Sequence, residues 1–347
     1  MKLKTVACLL AMSLMAAGCN KDVGKETPKI DKEDVKFEKE VSAEEEFVNQ
    51  YPLTGIGTDE SIESRAIAVM VNNHPKARPQ TGLSKADIVY EMLAEGDVTR
   101  FLAVFQSERP EKIGPVRSAR DYYIRIAKGL NGIFIAHGYS PDAKKLLDSG
   151  YIDHLNGMEY DGTLFKRASF RQAPHNSYIT FEKIEKGISD NSFDGKSAPK
   201  AFTFLTEEQI ESLMGEEAVS IKVAYGSPVF DSTFEYDEGA GKFIRYSDGE
   251  QTVDSETKEP VAIDNVLVIE APHQVIDKAG RRDIDFKAGG KAILLQKGKM
   301  NEAEWRNIDG RIVPFQEGKE AGLMPGKTWI AVVSEAGIAN DITLNSN

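Results

Sequence analysis

The chain has 347 residues, which after removal of any leader suffices for one or two ordinary domains. Its formal net charge of −12 argues against nucleic acid as a partner, because a negative surface repels a polyanion. The sequence contains only two cysteines, Cys8 and Cys19, too few for a disulfide framework.

Residues 1–18 have the order of a lipoprotein signal peptide. Lys2 and Lys4 form a basic start, an apolar stretch follows, and the small residues 16–18 stand directly before Cys19. The apolar stretch is shorter than the roughly 20 residues that a membrane-spanning helix needs. The pattern predicts export, lipidation of Cys19 and an extracytoplasmic protein that is lipid-anchored to the cell membrane. Because Cys8 leaves with the signal, the mature chain has no cysteine nucleophile.

Residues 19–60 are predicted to form a charged, disordered tether. They contain eighteen charged residues, often in blocks such as 31–34 and 44–46, and few apolar anchors. Such a segment cannot bury enough apolar surface to fold alone. The predicted tether would hold the folded part away from the membrane surface.

Residues 61–189 alternate strand-like and helix-like segments, which predicts an α/β domain. The predicted elements are a buried strand at 66–71, a hairpin of 88–94 and 101–105, a helix with Ser118 as N-cap, a strand at 133–136, and a helix with Ser140 as N-cap and Pro141 at its first position. Residues 198–345 are predicted to be a β-rich domain of short strands separated by turns rich in glycine and aspartate. The predicted fold class is therefore α/β, of the mixed α+β kind. An α/β region with a mixed sheet comes first in the chain, and a β-rich region follows it.

Several segments resemble the YerB-like lipoproteins of Gram-positive bacteria, a family of unknown function. The resemblance rests on the segments 69–73, 77–83, 86–91, 99–101, 113–120, 173–176, 265–268 and 325–330. It implies a lipoprotein with an α/β part followed by a β-rich part. It implies no activity for particular residues.

Positive charge is concentrated between residues 61 and 180, where nine arginines and seven lysines stand against thirteen acidic residues. Arg117 and Arg120 lie at the predicted start of a helix, where cations oppose the macrodipole, and such violations often mark functional sites. We expect Arg78, Arg100, Arg117 and Arg120, with His74, to line a ligand-binding site for an anion. The alternative for Arg117 and Arg120 is a structural ion-pair network in which Asp121 or Glu111 neutralises them.

A two-residue loop at 96–97 would place Glu91, Glu95 and Arg100 on one face of the hairpin. Candidate catalytic residues are Asp87, Glu91, His137 and His175. His74 and His137 each follow a predicted strand, and ligands usually bind beyond the carboxyl ends of such strands. A zinc site made of the three histidines and Asp87 stays open as an alternative, although no metal motif is present.

The preferred hypothesis is a cell-envelope lipoprotein that binds peptidoglycan carboxylates or a phosphate-bearing polymer or lipid, without a cofactor. One alternative is a metal-assisted transferase or hydrolase acting on phosphate-linked envelope polymers. It rests on a resemblance of residues 86–91 and 118–121 to the LytR-CpsA-Psr transferases, which implies that Asp87 or Glu91 would bind a divalent metal. Another alternative is a scaffold that docks cell-wall proteins on the β-rich half. Whether the protein is an enzyme stays open.

Overall fold

A long mixed sheet forms the centre of the computed structural model, which describes residues 47–345. The predicted signal peptide, Cys19 and residues 20–46 lie outside the described residues. The strands are β1 (Asn49–Gln50), β2 (Gly57–Thr58), β3 (Ile67–Asn72), β4 (Ile88–Glu95), β5 (Val98–Phe105), β6 (Lys112–Ile113), β7 (Ile133–Ala136), β8 (His154–Asn156), β9 (Phe165–Arg167), β10 (Ser177–Thr180), β11 (Glu216–Glu217), β12 (Ser220–Val223), β13 (Ser232–Asp237), β14 (Lys242–Ser247), β15 (Glu250–Gln251), β16 (Ala262–Ile263), β17 (Asn265–Glu270), β18 (His273–Val275), β19 (Arg282–Ile284), β20 (Gly290–Gln296), β21 (Lys299–Ile308), β22 (Arg311–Gln316), β23 (Lys319–Glu320), β24 (Thr328–Val333) and β25 (Ile342–Asn345).

The helices are short and lie between the strands. They are α1 (Asp121–Gly129), α2 (Pro141–Asp148), α3 (Gly157–Tyr160), α4 (Phe181–Asp190), α5 (Glu207–Glu211) and α6 (Gly337–Asn340), with 3-10 turns at Pro75–Ala77, Leu83–Lys85 and Pro228–Phe230. Within residues 47–345 no helix has the length and apolar character to span a membrane.

The main sheet takes strands from both halves of the chain, in the order β23-β22-β21-β20-β17-β24-β4-β5-β3-β7-β8. Strand β24 pairs in parallel with β17 on one side and with β4 on the other. Strands β3, β7 and β8 are also parallel to one another. A second sheet contains β12 to β16 and β25. The mixed fold with a β-rich second half is confirmed, whereas the boundary predicted near residues 189–198 stays a prediction.

The core lies on both faces of the main sheet, as expected for nearly continuous apolar strands. One face packs against α1 and α2 through residues such as Tyr123 and Leu147. The opposite face packs against α4 and the second sheet, for example through Ile184 and Phe234. Each such side chain that is fully buried contributes roughly 1.5–3 kcal/mol to folding. The sheet is therefore a rigid support for the loops at its edges.

The folded part begins earlier than the sequence predicted. Leu53, assigned to the tether, is fully buried, and the Thr54 carbonyl accepts a hydrogen bond from Gly326 N–H at 2.7 Å. Strands β1 and β2 pair with each other in the same segment. The predicted end of the tether at residue 60 is therefore wrong, because these few apolar residues pack on the second half of the chain.

The hairpin of β4 and β5 has the predicted two-residue loop but not the predicted faces. Glu95 pairs with Val98, yet the register shifts at a bulge between Leu93 and Glu95, so Glu91 lies opposite Phe101. Alternate residues of a strand point to opposite faces, and one extra residue reverses the relation. The prediction that Glu91 and Arg100 share a face is therefore wrong.

Helix α1 starts with Arg120 as its N-cap residue, and the predicted cap Ser118 is wrong. The preceding segment is held extended, because Arg117 N–H donates to the Met70 carbonyl and His137 N–H donates to the Arg117 carbonyl, both at 2.9 Å. Residues that bridge two strands cannot also form the first helical turn. By contrast, α2 has the predicted Ser140 cap, whose hydroxyl accepts from Ala143 N–H at 3.2 Å.

Candidate functional site

Three histidines and Arg117 lie at one edge of the main sheet, and two of the histidines are in contact. His74 follows β3, and His137 follows the parallel neighbour β7, so both stand beyond carboxyl ends at the same edge. His175 precedes β10, and its ring stacks on His74 with centroids 4.5 Å apart. Arg117 lies close enough to lower the pKa of all three histidines.

The hydrogen bonds of His74 and His175 decide which ring nitrogen carries the proton. The Nδ1 atom of His74 accepts from Lys76 N–H at 3.2 Å, and Nδ1 of His175 accepts from the Asn72 amide at 2.9 Å. The orientation of the Asn72 amide group follows from its oxygen atom, which accepts a hydrogen bond from the backbone N–H of His74 at 3.0 Å. In a neutral imidazole the other nitrogen then carries the proton. Each ring therefore offers Nε2–H as a hydrogen-bond donor.

The surroundings of these two rings are positively charged. Burial lowers the pKa of His74, and Lys76, Arg117 and Arg78 lower it further. The pKa of His175 is lowered by burial first, and then by His74, Arg117, Lys76 and Arg171. No acidic side chain of the described residues counts among the causes of either shift.

His137 is fixed as a neutral ring and is poorly suited to act as a base. Its Nε2 atom lies 2.7 Å from the Arg167 guanidinium, which can only donate, so Nε2 accepts. The Nδ1–H group then donates to Ser177 Oγ at 2.7 Å. Burial, and then Arg167, lower the pKa of His137, with Asp161 opposing them. A serine nucleophile needs the reverse arrangement, in which the histidine accepts from the hydroxyl.

Arg117 is the arginine with the most unused hydrogen-bonding capacity in this cluster. It is half-buried, and within residues 47–345 its guanidinium makes neither a hydrogen bond nor an ion pair. Burial lowers its pKa, and Glu95 opposes that effect, but a guanidinium stays charged at any physiological pH. We call Arg117, His74 and His175 the Arg117 site. It consists of hydrogen-bond donors.

Arg100 and Arg120 share one carboxylate, that of Glu95. Arg100 pairs with one oxygen and also donates to the Ser118 carbonyl at 2.7 Å, while Arg120 pairs with the other oxygen. Burial raises the pKa of Glu95, but Arg100 and Arg120 outweigh it and leave the pKa below its usual value. The alternative of an ion-pair network therefore describes Arg120, together with Arg100, although the acid is neither Asp121 nor Glu111.

Arg78 contacts a different set of residues. Its Nε–H donates to the Asn73 carbonyl at 3.1 Å and a terminal N–H donates to the Val229 carbonyl at 2.8 Å. Its guanidinium also lies over the Phe230 ring, 5.8 Å from the centroid. Burial and the nearby Arg245 lower its pKa to about 10. The four arginines are thus divided among a Glu95 cluster, Arg117 and Arg78.

Glu91 belongs to a buried network on the other face of the sheet. It is fully buried and pairs with Arg245 at 3.2 Å, whose side chain is 1% exposed. Its oxygens also accept from Asn73, Thr99, Ser232 and Trp329 at 2.7–3.2 Å. With every lone-pair direction occupied, this carboxylate has no free position for a metal or a proton donor from a substrate.

Asp87 lies at the opposite end of β4 from Glu95, about 25 Å away at about 3.3 Å per residue. It accepts from Gln106 N–H at 2.5 Å and from Ser107 N–H at 2.8 Å. Burial raises its pKa to about 6, against these hydrogen bonds. In the part of the chain that the structure describes, no three His, Cys, Asp or Glu side chains come together to hold a metal ion. The zinc site of three histidines and Asp87 is therefore wrong.

Two contributions to the site were missed at the level of sequence, and a third was predicted in part. Asn72 fixes the His175 ring and Arg167 fixes His137, and neither role was predicted. The pairing of Glu95 with Arg100 agrees with the predicted hairpin, whereas its second partner, Arg120, was not predicted. The polar pair at positions 72–73, directly after a buried strand, was a usable signal for Asn72.

Two family models match the chain, the N-terminal domain of a protein of unknown function (DUF3048) over residues 53–194 and the C-terminal domain of the same family over residues 221–330. The chain is 47% identical over 292 residues to a putative lipoprotein YerB of Bacillus subtilis (strain 168), an alignment that covers 83% of this chain and 87% of the relative. It is also similar to the crystal structure of the YerB protein from Bacillus subtilis, with a TM-score of 0.79 and 45% identity over 86% of this chain and 100% of the other. The chain therefore belongs to the YerB-like (DUF3048) lipoprotein family.

Proposed function

We propose that this protein is lipid-anchored at Cys19 outside the cytoplasm and binds an anionic group of a cell-envelope ligand at the Arg117 site. The anchoring rests on the order of residues 1–19 and on the relative named a putative lipoprotein. The binding rests on the geometry of the site.

The observation that carries the binding proposal is that the site offers donors and no acceptor. Arg117 has five N–H groups without a partner among the described residues, and His74 and His175 each add an Nε2–H. Carboxylates and phosphates are acceptors, and they are the groups that a guanidinium binds in a bidentate manner. A ligand with such a group would satisfy the donors and the positive charge together.

Two classes of envelope ligand have this chemistry, the carboxylates of peptidoglycan stem peptides and the phosphates of wall polymers or lipid carriers. The imidazole rings of His74 and His175 and the guanidinium of Arg117 together suit one carboxylate or one phosphate group. A metal-assisted reaction gains no support, because Asp87 is remote and Glu91 is fully engaged. Docking of wall proteins on the β-rich half stays a prediction.

The test is the dissociation constant for soluble peptidoglycan fragments and for a phosphate polymer, measured by titration calorimetry. Charge-assisted hydrogen bonds contribute about 1.5–3 kcal/mol, so Arg117→Gln should weaken binding by about tenfold or more. Arg109→Gln is the matched control, because Arg109 is exposed and pairs with Glu185 at 2.8 Å on the surface. If Arg117→Gln binds both ligands as the parent does, the proposed site is incorrect.

A further inference from the structure

The loop between β9 and β10 carries His175, one of the three side chains of the Arg117 site. The ends of the loop are held together, because Ala168 N–H donates to the Asn176 carbonyl at 2.8 Å. Compact surface loops whose ends lie close together often have functional roles. We call residues 169–175, which lie between these two ends, the 169–175 loop.

The backbone of the 169–175 loop makes no hydrogen bond to another segment of residues 47–345. The backbone hydrogen bond within it joins His175 N–H to the Gln172 carbonyl at 2.9 Å. Most of its residues are exposed to solvent, and Phe170 is 68% exposed. A segment with few buried contacts and no backbone bonds to its surroundings opens at a low cost in free energy.

Two side chains attach the 169–175 loop to residues 72–79. The first is Arg171, whose two terminal nitrogens donate to the carbonyls of Lys76 at 2.8 Å and of Pro79 at 2.7 Å. The planar guanidinium presents its donors in a fixed fork that suits two acceptors at once, whereas the ammonium of a lysine is a compact point charge. Arg171 therefore holds the loop by its geometry as well as by its charge.

The second of these side chains is His175 itself. Its Nδ1 atom accepts from the Asn72 amide at 2.9 Å, and its ring stacks on the His74 ring with centroids 4.5 Å apart. These are the contacts that place His175 in the Arg117 site. If the loop moves away from residues 72–79, it takes one Nε2–H donor out of the site with it.

The observed position of the loop brings positive charges together. Beyond the effect of burial, the pKa of His175 is lowered by His74 and by three cations, Arg117, Lys76 and Arg171. Like charges repel one another, and an anion bound among them offsets that repulsion. An anion therefore interacts more favourably with the loop in this position than with a displaced loop, and its binding shifts the equilibrium towards closure.

We propose that the 169–175 loop is a lid that closes over the anion at the Arg117 site, and that Arg171 holds the lid closed. The lid opens to admit the ligand, and closure returns His175 to the site. Arg171 is a positioning residue, because each of its terminal nitrogens already donates to a backbone carbonyl. The inference rests on the function proposed above and adds how the ligand enters and is retained.

The first test needs no ligand. The chain has five histidines, so ¹³C labelling of histidine in the full-length protein in detergent yields five ring signals by NMR. Arg171→Gln should shift the signals of His74 and His175 together, because the two rings no longer stack when the lid opens. The signals of His154 and His273 should stay in place, since each ring is hydrogen-bonded to a carbonyl of its own segment, and they report that the fold is intact.

Two further variants separate the geometry of Arg171 from its charge. Arg171→Lys keeps the charge but not the fork, so it should shift both signals as Arg171→Gln does. Lys166→Gln is the matched control, because Lys166 is an exposed cation of β9 that forms no ion pair with another described residue, and it should leave all five signals at their parental positions. If both Arg171 variants also leave the His74 and His175 signals unchanged, Arg171 does not hold the loop and the proposal is incorrect.

The second test uses inorganic phosphate and acetate as probes and titration calorimetry to measure their dissociation constants. Both Arg171 variants should bind the probes about tenfold or more weakly than the parent, because an open lid lacks the His175 donor. Arg171 variants that bind as the parent does, while Arg117→Gln does not, would overturn the lid and leave the proposed function standing. A parent protein that binds neither probe at millimolar concentration would instead refute the proposed function, and the ligand-free histidine signals would still decide whether Arg171 holds the loop.

Discussion

The buried pair of Glu91 and Arg245 allows a quantitative test of what Glu91 does. Glu91→Gln removes the negative charge and leaves the Arg245 guanidinium, 1% exposed, without its counter-ion. Removing one partner of a buried pair typically costs about 3–5 kcal/mol, because the remaining charge stays desolvated. We expect the free energy of unfolding to fall by that amount and the midpoint of thermal unfolding by about 10 °C.

The assay is urea unfolding of the parent, Glu91→Gln, Arg245→Met and the double variant. The double variant removes both charges, so it should lose less stability than the sum of the single variants, with a coupling energy of about 0.5–3 kcal/mol. Arg109→Met is the surface control, because Arg109 and Glu185 are each 56% exposed and such pairs contribute about 0–1 kcal/mol. A Glu91→Gln protein as stable as the parent would refute the structural role and revive a chemical role for this carboxylate.

Three further predictions concern pH and helix capping. A bound anion at the Arg117 site raises the pKa of His74 and of His175 above the lowered values that these groups have in the free protein. The affinity for the anion should therefore increase as the pH falls below about 6.5. An affinity that does not change between pH 5 and pH 8 would contradict this. Burial lowers the pKa of His273 to about 4, below the value of 6.5 in the unfolded chain, so the unfolded state takes up a proton first. Stability should therefore decrease by about 3 kcal/mol between about pH 6.5 and pH 4, and His273→Gln should flatten that part of the curve in urea unfolding. Ser140→Ala removes the cap of α2 and should cost about 1 kcal/mol in the same assay, and a loss below about 0.3 kcal/mol would contradict the cap geometry.

The apolar strands and the helices α1 and α2 could be predicted because their signals are local. The apolar runs near 66–71 and 133–136 form parallel neighbours, and Ser140-Pro141 starts α2 as expected. The local capping pattern wrongly predicted Ser118 as the N-cap of α1. The neighbouring Arg117 already donates its backbone N–H to the Met70 carbonyl, which keeps this segment extended. Tertiary pairing overrides a helix start signal when the same residues are needed between strands.

The candidate site could be predicted only in part, for a related reason. The placement of His74 and His137 at one edge follows from strand order, which the sequence indicated. The division of the arginines depends on Glu95, whose place beside Arg100 follows from the predicted hairpin loop, whereas its contact with Arg120 depends on where α1 begins. The bulge in β4 leaves no mark in the sequence, and it turns Glu91 to the other face. The partner of Glu91 is 154 residues away, beyond the range of any periodicity.

Strand β24 has a consequence for how the chain reaches its native state. It lies between β17 and β4, so the main sheet remains in two pieces until residues 328–333 are available. If the chain is exported with its N-terminus first, as the proposed lipid anchor requires, both unpaired edges stay open to other strands until translocation is nearly complete. Deletion of the last twenty residues should therefore yield aggregation outside the membrane rather than a shortened but folded protein.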